Sequence, residues 1–277
     1  MSNAASTPLH PISDLQWWGV QSFEIGQSRR WQLGALWLSI TRDLYEWRLE
    51  YHRPKRLSEH KIGSHSLLWR VLQQHETLPE PSKLERYLFA NTDATLTLLP
   101  RLADRSMVVK PINPIFIPAG QQGQLYVSTP LWLTAVAHDQ DEPLFDLPII
   151  RPNDTWFGPD TLKGEICYAT PVFGRTELAH LPVSGLWAVT PIHFRNRSSR
   201  QLQLDRMNLP VDALPLFQSL ENGQLWTSEI EVIQESHLRP PKVRIHQHTP
   251  QPAGRVRFIN PPRNSEGSFF RMFDSFF

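Results

Sequence analysis

The side chains that could do chemistry in this sequence are few and poorly grouped. His246-Gln247-His248 puts two imidazoles on one face of a strand, an arrangement transition metals accept, but no third ligand stands near them in sequence. His138-Asp139-Gln140-Asp141-Glu142 clusters carboxylates of the kind that hold Ca²⁺, yet it lacks the glycine and the longer spaced ligand set, and reads as an acidic turn. The one cysteine, Cys167, excludes an internal disulfide and a multi-cysteine zinc site, and is expected to be a buried small hydrophobe. A nucleophile elbow, a phosphate-cradling glycine loop and a dinucleotide fingerprint do not occur in the chain. A hydrolase site assembled from distant loops would leave no such signature. The expectation is a protein without catalytic residues, cofactor or metal.

Binding chemistry is better represented. Phe269, Phe270, Met272, Phe273, Phe276 and Phe277 fall on one arc at helical spacing, with Arg271, Asp274 and Ser275 opposite. Ser268 is the expected N-cap. So short a helix cannot hold itself in water, because nucleation is costly, and it needs a surface to dock on. Burying each phenylalanine is worth about 1.5–3 kcal/mol before ordering costs. The surface can be the chain's own domain, another protein or a second copy, or a membrane interface, although the polar face lacks the basic residues that assist membrane insertion. The preceding Gln251 to Ser265 is rich in Pro, Arg and Asn and reads as a tether. Two other surfaces compete. Arg29-Arg30-Trp31, His52 to Arg56, Arg195 to Arg200 and Arg255 to Arg257 could line an anionic groove, against the plainer reading of solvated turns. Trp17, Trp18, Trp156 and Trp226 are the tryptophans least obviously buried, and could stack sugars on a β surface.

The elements that must position these residues read as strands. In Leu44 to His52, Tyr45, Trp47, Leu49 and Tyr51 alternate with Glu46, Arg48, Glu50 and His52, the pattern of a half-buried strand. Trp31 to Arg42 reads as its partner, with a bulge or close approach at Gly34. Leu68, Val71 and Leu72 allow one short helix. Strands are expected again over Glu85 to Ala90, Ala94 to Leu102, Ser106 to Lys110 and the long Gly123 to Ala137, interrupted at Pro130. They continue over Gly185 to Phe194, Arg200 to Met207, Leu214 to Leu220, Gln224 to Gln234, Pro241 to His248 and Arg255 to Ile259. Turns fall at Asn196 to Ser199 and at Asn222-Gly223, a hairpin signal.

Composition agrees. The 277 residues can bury a sizeable core, and 25 prolines against 13 glycines favour short elements joined by rigid turns. A formal net charge of +1 gives no global drive toward nucleic acid or anionic membrane. The N-terminus shows no secretory signal and no stretch approaches the ~20 apolar residues of a membrane span, so the cytoplasm is the expected location. The expected fold is mainly β: two β-sandwich-like halves, little helix and a short amphipathic C-terminal helix. The expected division is a flexible 1–16, an N-terminal β domain over 17–140, a C-terminal β domain over 141–250, and tether plus docking tail over 251–277.

Several phrases carry a family resemblance. Gly34 between Trp31 and Trp37, Glu46-Trp47-Arg48, Pro100-Arg101-Leu102-Ala103-Asp104-Arg105 and Leu125-Tyr126-Val127-Ser128-Thr129-Pro130-Leu131-Trp132 resemble domain of unknown function 432, a prokaryotic family. So do Gly185 to Pro191, Asn208-Leu209-Pro210-Val211 and Leu225-Trp226-Thr227. The likeness runs from about Trp17 to Val232 and supplies no catalytic signature. Its members have no assigned activity, and their genes often lie near a small-conductance mechanosensitive channel. The resemblance therefore implies an accessory protein, with that channel among its expected partners and a peripheral place at the inner membrane through it. The competing expectation is a carbohydrate- or ligand-binding β-sandwich.

Overall fold

A computed structural model of the chain describes residues 16–54, 68–111, 113–137, 142–158, 164–169, 173–239 and 241–264. It is mainly β. Helical turns among the described residues are the short 3-10 segments Leu178–His180, Val211–Ala213 and Gln251–Ala253. The expected C-terminal helix lies outside the described residues.

Alternation organises the first sheet. In β4 (Glu46–His52) Trp47, Leu49 and Tyr51 are buried while the charged residues between them stay partly accessible. β4 pairs antiparallel with β3 (Leu36–Arg42), and β3 with β2 (Ser28–Leu33). The stretch expected as one strand bulged at Gly34 is therefore a hairpin: Gly34 takes φ +57°, where a side chain would be strained, and reverses the chain. The short helix expected near Leu68 is also absent. Trp69–Val71 forms β5, paired with β2, and Leu72 N–H continues the ladder to Arg30 O at 2.9 Å. A sheet edge offers immediate backbone partners, whereas one helical turn pays its nucleation cost alone. With β6 (Lys83–Leu88) the order is β5-β2-β3-β4-β6.

Facing it is a four-stranded sheet in the order β1-β7-β11-β12, formed by Gly19–Ser22, Thr95–Arg101, Trp132–Ala137 and Phe145–Pro148. Phe23 meets Trp47 edge-on at 5.0 Å, and Tyr87 meets Phe145 at 6.2 Å. Arg42 ties the two sheets by donating to Phe23 O at 2.9 Å and Thr92 O at 2.6 Å.

The long strand expected over Gly123 to Ala137 serves two sheets. Its first part, β10 (Gln122–Pro130), pairs with β16 (Trp187–Asn196) from Gln122↔Arg195 to Pro130↔Trp187. After Leu131 the chain enters β11. Around β10 and β16 grows an eight-stranded sheet in the order β15-β10-β16-β20-β19-β23, comprising also Phe173–Arg175, Leu225–Thr227, Leu216–Ser219 and Val256–Asn260. β21 (Ile230–Gln234) lies parallel to the far part of β16, with β22 (Lys242–Ile245) outside it. The Asn222-Gly223 hairpin joins β19 to β20 as expected, with Gly223 at φ +74°. Asn196 closes the opposite end: its side chain is 1% exposed and donates to Ile117 O at 2.9 Å, while its Oδ1 accepts Ser198 N–H at 3.1 Å. A mixed sheet, β13 (Asn153–Phe157), β14 (Glu165–Ala169), β8 (Met107–Val109) and β18 (Met207–Leu209), and a ribbon of β9 (Ile115–Ile117) with β17 (Leu202–Leu204) complete the body.

Strand pairing crosses the division expected at 140/141. β8 and β10 precede it, and their partners β14, β18, β15 and β16 follow it. One hydrophobic cluster holds Leu38 and Trp47 together with Ile192 and Leu216. Three of the four tryptophans expected at the surface belong inside: Trp17, Trp18 and Trp226 are 2%, 6% and 1% exposed, and only Trp156, at 41%, meets solvent. Period-two patterning could not separate them, because Trp17 and Trp18 lie ahead of β1 and Trp226 sits in a strand that is buried throughout.

The two deepest of these differ in hydrogen bonding. Trp17 Nε1 donates to Gly185 O at 2.8 Å, whereas Trp226 Nε1 is buried without a partner. Both phenylalanine replacements lose similar ring volume, but Trp17→Phe also strands a buried carbonyl, worth about 1–3 kcal/mol. Urea unfolding should show Trp17→Phe as the more destabilising by about that margin; equal losses would mean the indole bond contributes nothing.

Candidate functional site

Several buried and half-buried polar groups find their partners at one hub. The Pro100 to Arg105 loop, β14, β18 with its following 3-10 turn, and the chain leaving β23 converge there. Asn260 Nδ2 donates to Pro100 O, and Arg263 Nε donates to Leu102 O at 2.5 Å. The Arg263 guanidinium grips Asp146 with Nη1 to Oδ2 at 2.5 Å and Nη2 to Oδ1 at 3.0 Å, a bidentate fork. Thr134 Oγ1 donates to the same Asp146 Oδ1 at 2.7 Å. The backbone N–H groups of Arg263 and Asn264 both donate to Asp212 O, at 2.9 and 3.0 Å.

Asp212 sits at the centre of the hub, 8% exposed, with Ser106 Oγ 3.5 Å from its Oδ1. Burial raises its carboxyl above the usual range and the Glu165 charge adds to this, against the hydrogen bonds from its own backbone, Asn264 and Ser106. Asn208 Nδ2 donates to Glu165 Oε1, and Cys167 Sγ lies 3.6 Å from Asn208 Oδ1. Cys167 is fully buried, as expected, and burial, then Glu165 and Asp212, push its thiol up to about 12. A thiol held neutral is a poor nucleophile. On the solvent side Tyr168 donates to Asp104 Oδ1 at 2.9 Å beneath the Arg105 guanidinium, which ion-pairs with Asp154 at 3.2 Å. The hub can hold a chain segment by hydrogen bonds and screen a carboxyl from water. That is anchoring chemistry.

A second polar stretch lies on the eight-stranded sheet. His193 Nε2 stands 3.3 Å from Glu229 Oε2, and Glu229 Oε1 also accepts Gln251 N–H at 2.8 Å. Glu231 receives Arg195 Nε at 2.9 Å and Arg244 Nη1 at 3.7 Å. Glu231 is matched by an arginine, and Glu229 by an imidazole and a backbone N–H, so each buried carboxylate of the stretch has its partners within the protein.

The expected site residues Phe269, Phe270, Met272, Phe273, Phe276 and Phe277 lie outside the described residues, as do 138–141 of the acidic turn. His246 and His248 do stand together, ring centroids 4.9 Å apart, but no group of three or more metal-ligating side chains forms among the described residues. Among the described residues the basic runs are engaged separately: Arg29 reaches Gln21, Arg30 the carbonyls of Gln74 and Glu76, Arg195 Glu231, and Arg257 Gln218. Sequence reasoning missed Asp212, Glu165, Asn208 and Arg263. The available signal was that Pro100 to Arg105 and Asn208 to Val211 both recur as family phrases; they meet at this hub.

Fold and hub together define a mainly β protein whose C-terminal strand is pinned to the body by a buried polar network. The chain belongs to the family described as Protein of unknown function (DUF432), whose profile matches residues 17–276. No curated protein and no solved structure matches it. No helix among the described residues is long and apolar enough to cross a membrane.

Asp212 supplies a pH test. Its folded-state pKa is raised, so as pH climbs from about 4 the unfolded chain loses this proton first and folding stability falls, until the folded carboxyl also ionises. Asp212→Asn cannot titrate and keeps an acceptor for Ser106. Its urea midpoint relative to wild type should therefore move in the variant's favour between pH 4 and pH 7. A gap that stays constant, or moves the other way, would show that this carboxyl is not perturbed by burial.

Proposed function

We propose that this protein acts by binding rather than by catalysis, as an accessory protein that docks on a protein partner or a second copy of itself. The docking element is the C-terminal segment carrying Phe269, Phe270, Met272, Phe273, Phe276 and Phe277, folded on its partner as a short amphipathic helix. The body, two sandwich-like halves sharing a core, serves as the mount. One observation carries this reading: the chain is locked up to Asn264 by the Arg263–Asp146 fork and the paired N–H bonds to Asp212 O. Four residues, Ser265 to Ser268, then lead to Phe269. A fixed root with a short leash raises the effective concentration of an apolar segment near a bound partner. The family resemblance makes a small mechanosensitive channel the first partner to try, with the protein cytoplasmic and held at the inner membrane through it. Sugar stacking loses support, since three of its four tryptophans offer no face to a ligand.

The test compares the full chain with one ending at Asn264 and with Phe273→Ala/Phe276→Asp. Each is cross-linked in cells, and the bound proteins are identified by mass. A partner, or a second copy, should be recovered with the full chain and lost with both variants, while melting temperatures stay within about 2 °C. Truncation that lowers the melting temperature sharply and changes no partner would make the segment part of the chain's own core.

A further inference from the structure

β6 ends the five-stranded sheet, and its six residues make it the longest strand at any sheet end among the described residues. Its pairing with β4 fixes which backbone groups it has left. Phe89 N–H donates to Tyr45 O at 2.8 Å, in the register that continues through Trp47↔Tyr87, Leu49↔Glu85 and Tyr51↔Lys83. Successive residues of an antiparallel strand bond to opposite sides, so Leu84, Arg86 and Leu88 turn their N–H and C=O groups away from β4. Exposure marks that side as open. Leu84 and Leu88 are 56% and 78% exposed, whereas Glu50 and Glu46, opposite them on β4 with strands on both sides, are half-buried.

An open edge carrying two exposed leucines invites pairing with another chain, which natural proteins block with unpaired charge on the edge. Here the charges are neutralised within the chain. Arg86 donates to Glu46 Oε2 through Nε at 2.8 Å and Nη2 at 2.6 Å, and Lys83 Nζ donates to Glu85 Oε1 at 2.6 Å. The edge is also self-complementary. Opposed residues of an antiparallel pair point to the same face, so two copies of β6 that keep each sheet face continuous must centre on a residue opposite itself. Centred on Glu85, the pairing sets two carboxylates against each other. Centred on Tyr87, it leaves Leu84 opposite Ala90, past the end of the strand. Centred on Arg86, it sets Leu84 against the second copy's Leu88 on both sides of the axis, and each Arg86 keeps its own Glu46.

We propose that β6 is a self-association edge, at which a second copy of this chain pairs β6 to β6 about a two-fold axis at Arg86 and joins the two five-stranded sheets edge to edge. The surface is separate from the C-terminal segment and does not depend on its role.

One strand pair is a small interface, so a reversible dimer is expected, populated at about 100 µM. Sedimentation of the full-length protein at that concentration should give the mass of a dimer. Leu88→Lys, an exposed change, should give a monomer whose melting temperature stays within about 2 °C of wild type. Arg86→Cys places a thiol opposite its own copy, within the Cα span of a disulfide, and mild oxidation should convert most of it to a covalent dimer. Leu88→Cys faces Leu84 rather than itself, and should be linked only when mixed with Leu84→Cys. Phe273→Ala/Phe276→Asp should dimerise as wild type does. A monomeric wild type, a dimer retained by Leu88→Lys, or oxidation that links Leu88→Cys to itself as readily as Arg86→Cys overturns the proposal. A dimer lost only with the phenylalanine changes assigns self-association to the C-terminal segment and overturns it as well.

Discussion

The run from Gln122 to Ala137 is the constraint on which the rest of the structure depends. It is one length of chain built into two sheets, along β16 through Pro130 and between β7 and β12 from Trp132. Leu125 to Ala135 are all buried. A segment with no solvated face must have every backbone group paired, so both sheets must form around it for either to be complete. Pro130 marks the change of sheet, where one missing N–H is least harmful. The proline-rich composition follows: many short strands have to stop and turn around a path that cannot move.

The same constraint explains the polar hub. The chain leaving β23 is only half-buried, with Pro261 and Asn264 at the surface, but it passes over polar groups at the edge of the continuous core that need partners. Arg263 resolves this by spanning Leu102 O and Asp146, and Asp212 by offering its carbonyl to two successive N–H groups. The cost appears as a carboxyl held above its ordinary range and a thiol kept neutral. Groups perturbed by burial often mark active sites. Here their partners are backbone and amide groups of the protein itself, and the perturbation is spent on holding the C-terminal strand.

Much of the fold is legible in the sequence. The alternation in Leu44 to His52 marks β4 because one face of its sheet is solvated, and Asn222-Gly223 marks its hairpin because only a positive φ fits that turn. Legibility ends where burial is two-sided. Trp226 and Trp18 look exposable only because the covering segments come from far along the chain. The Asp-, Pro- and Asn-rich stretch after Ala137 has the composition of a linker, yet the strands on either side of it pair with each other. Gly34 is readable as special, but not as a turn rather than a bulge. The hub itself is invisible, because Ser106, Asp146, Glu165, Asn208, Asp212 and Arg263 are separated by up to 157 positions, the span from Ser106 to Arg263.

Native-state hydrogen exchange tests the shared core most directly. It reads the opening free energy of each amide in the intact chain. A single core built on Gln122 to Ala137 predicts that the slowest amides of β3, β11 and β16 converge on one limiting free energy, and that they shift together when mild denaturant is added. If β3 and β11 open at a distinctly lower free energy while β16 stays protected, the two halves unfold independently, and the shared strand does not bind them into one unit.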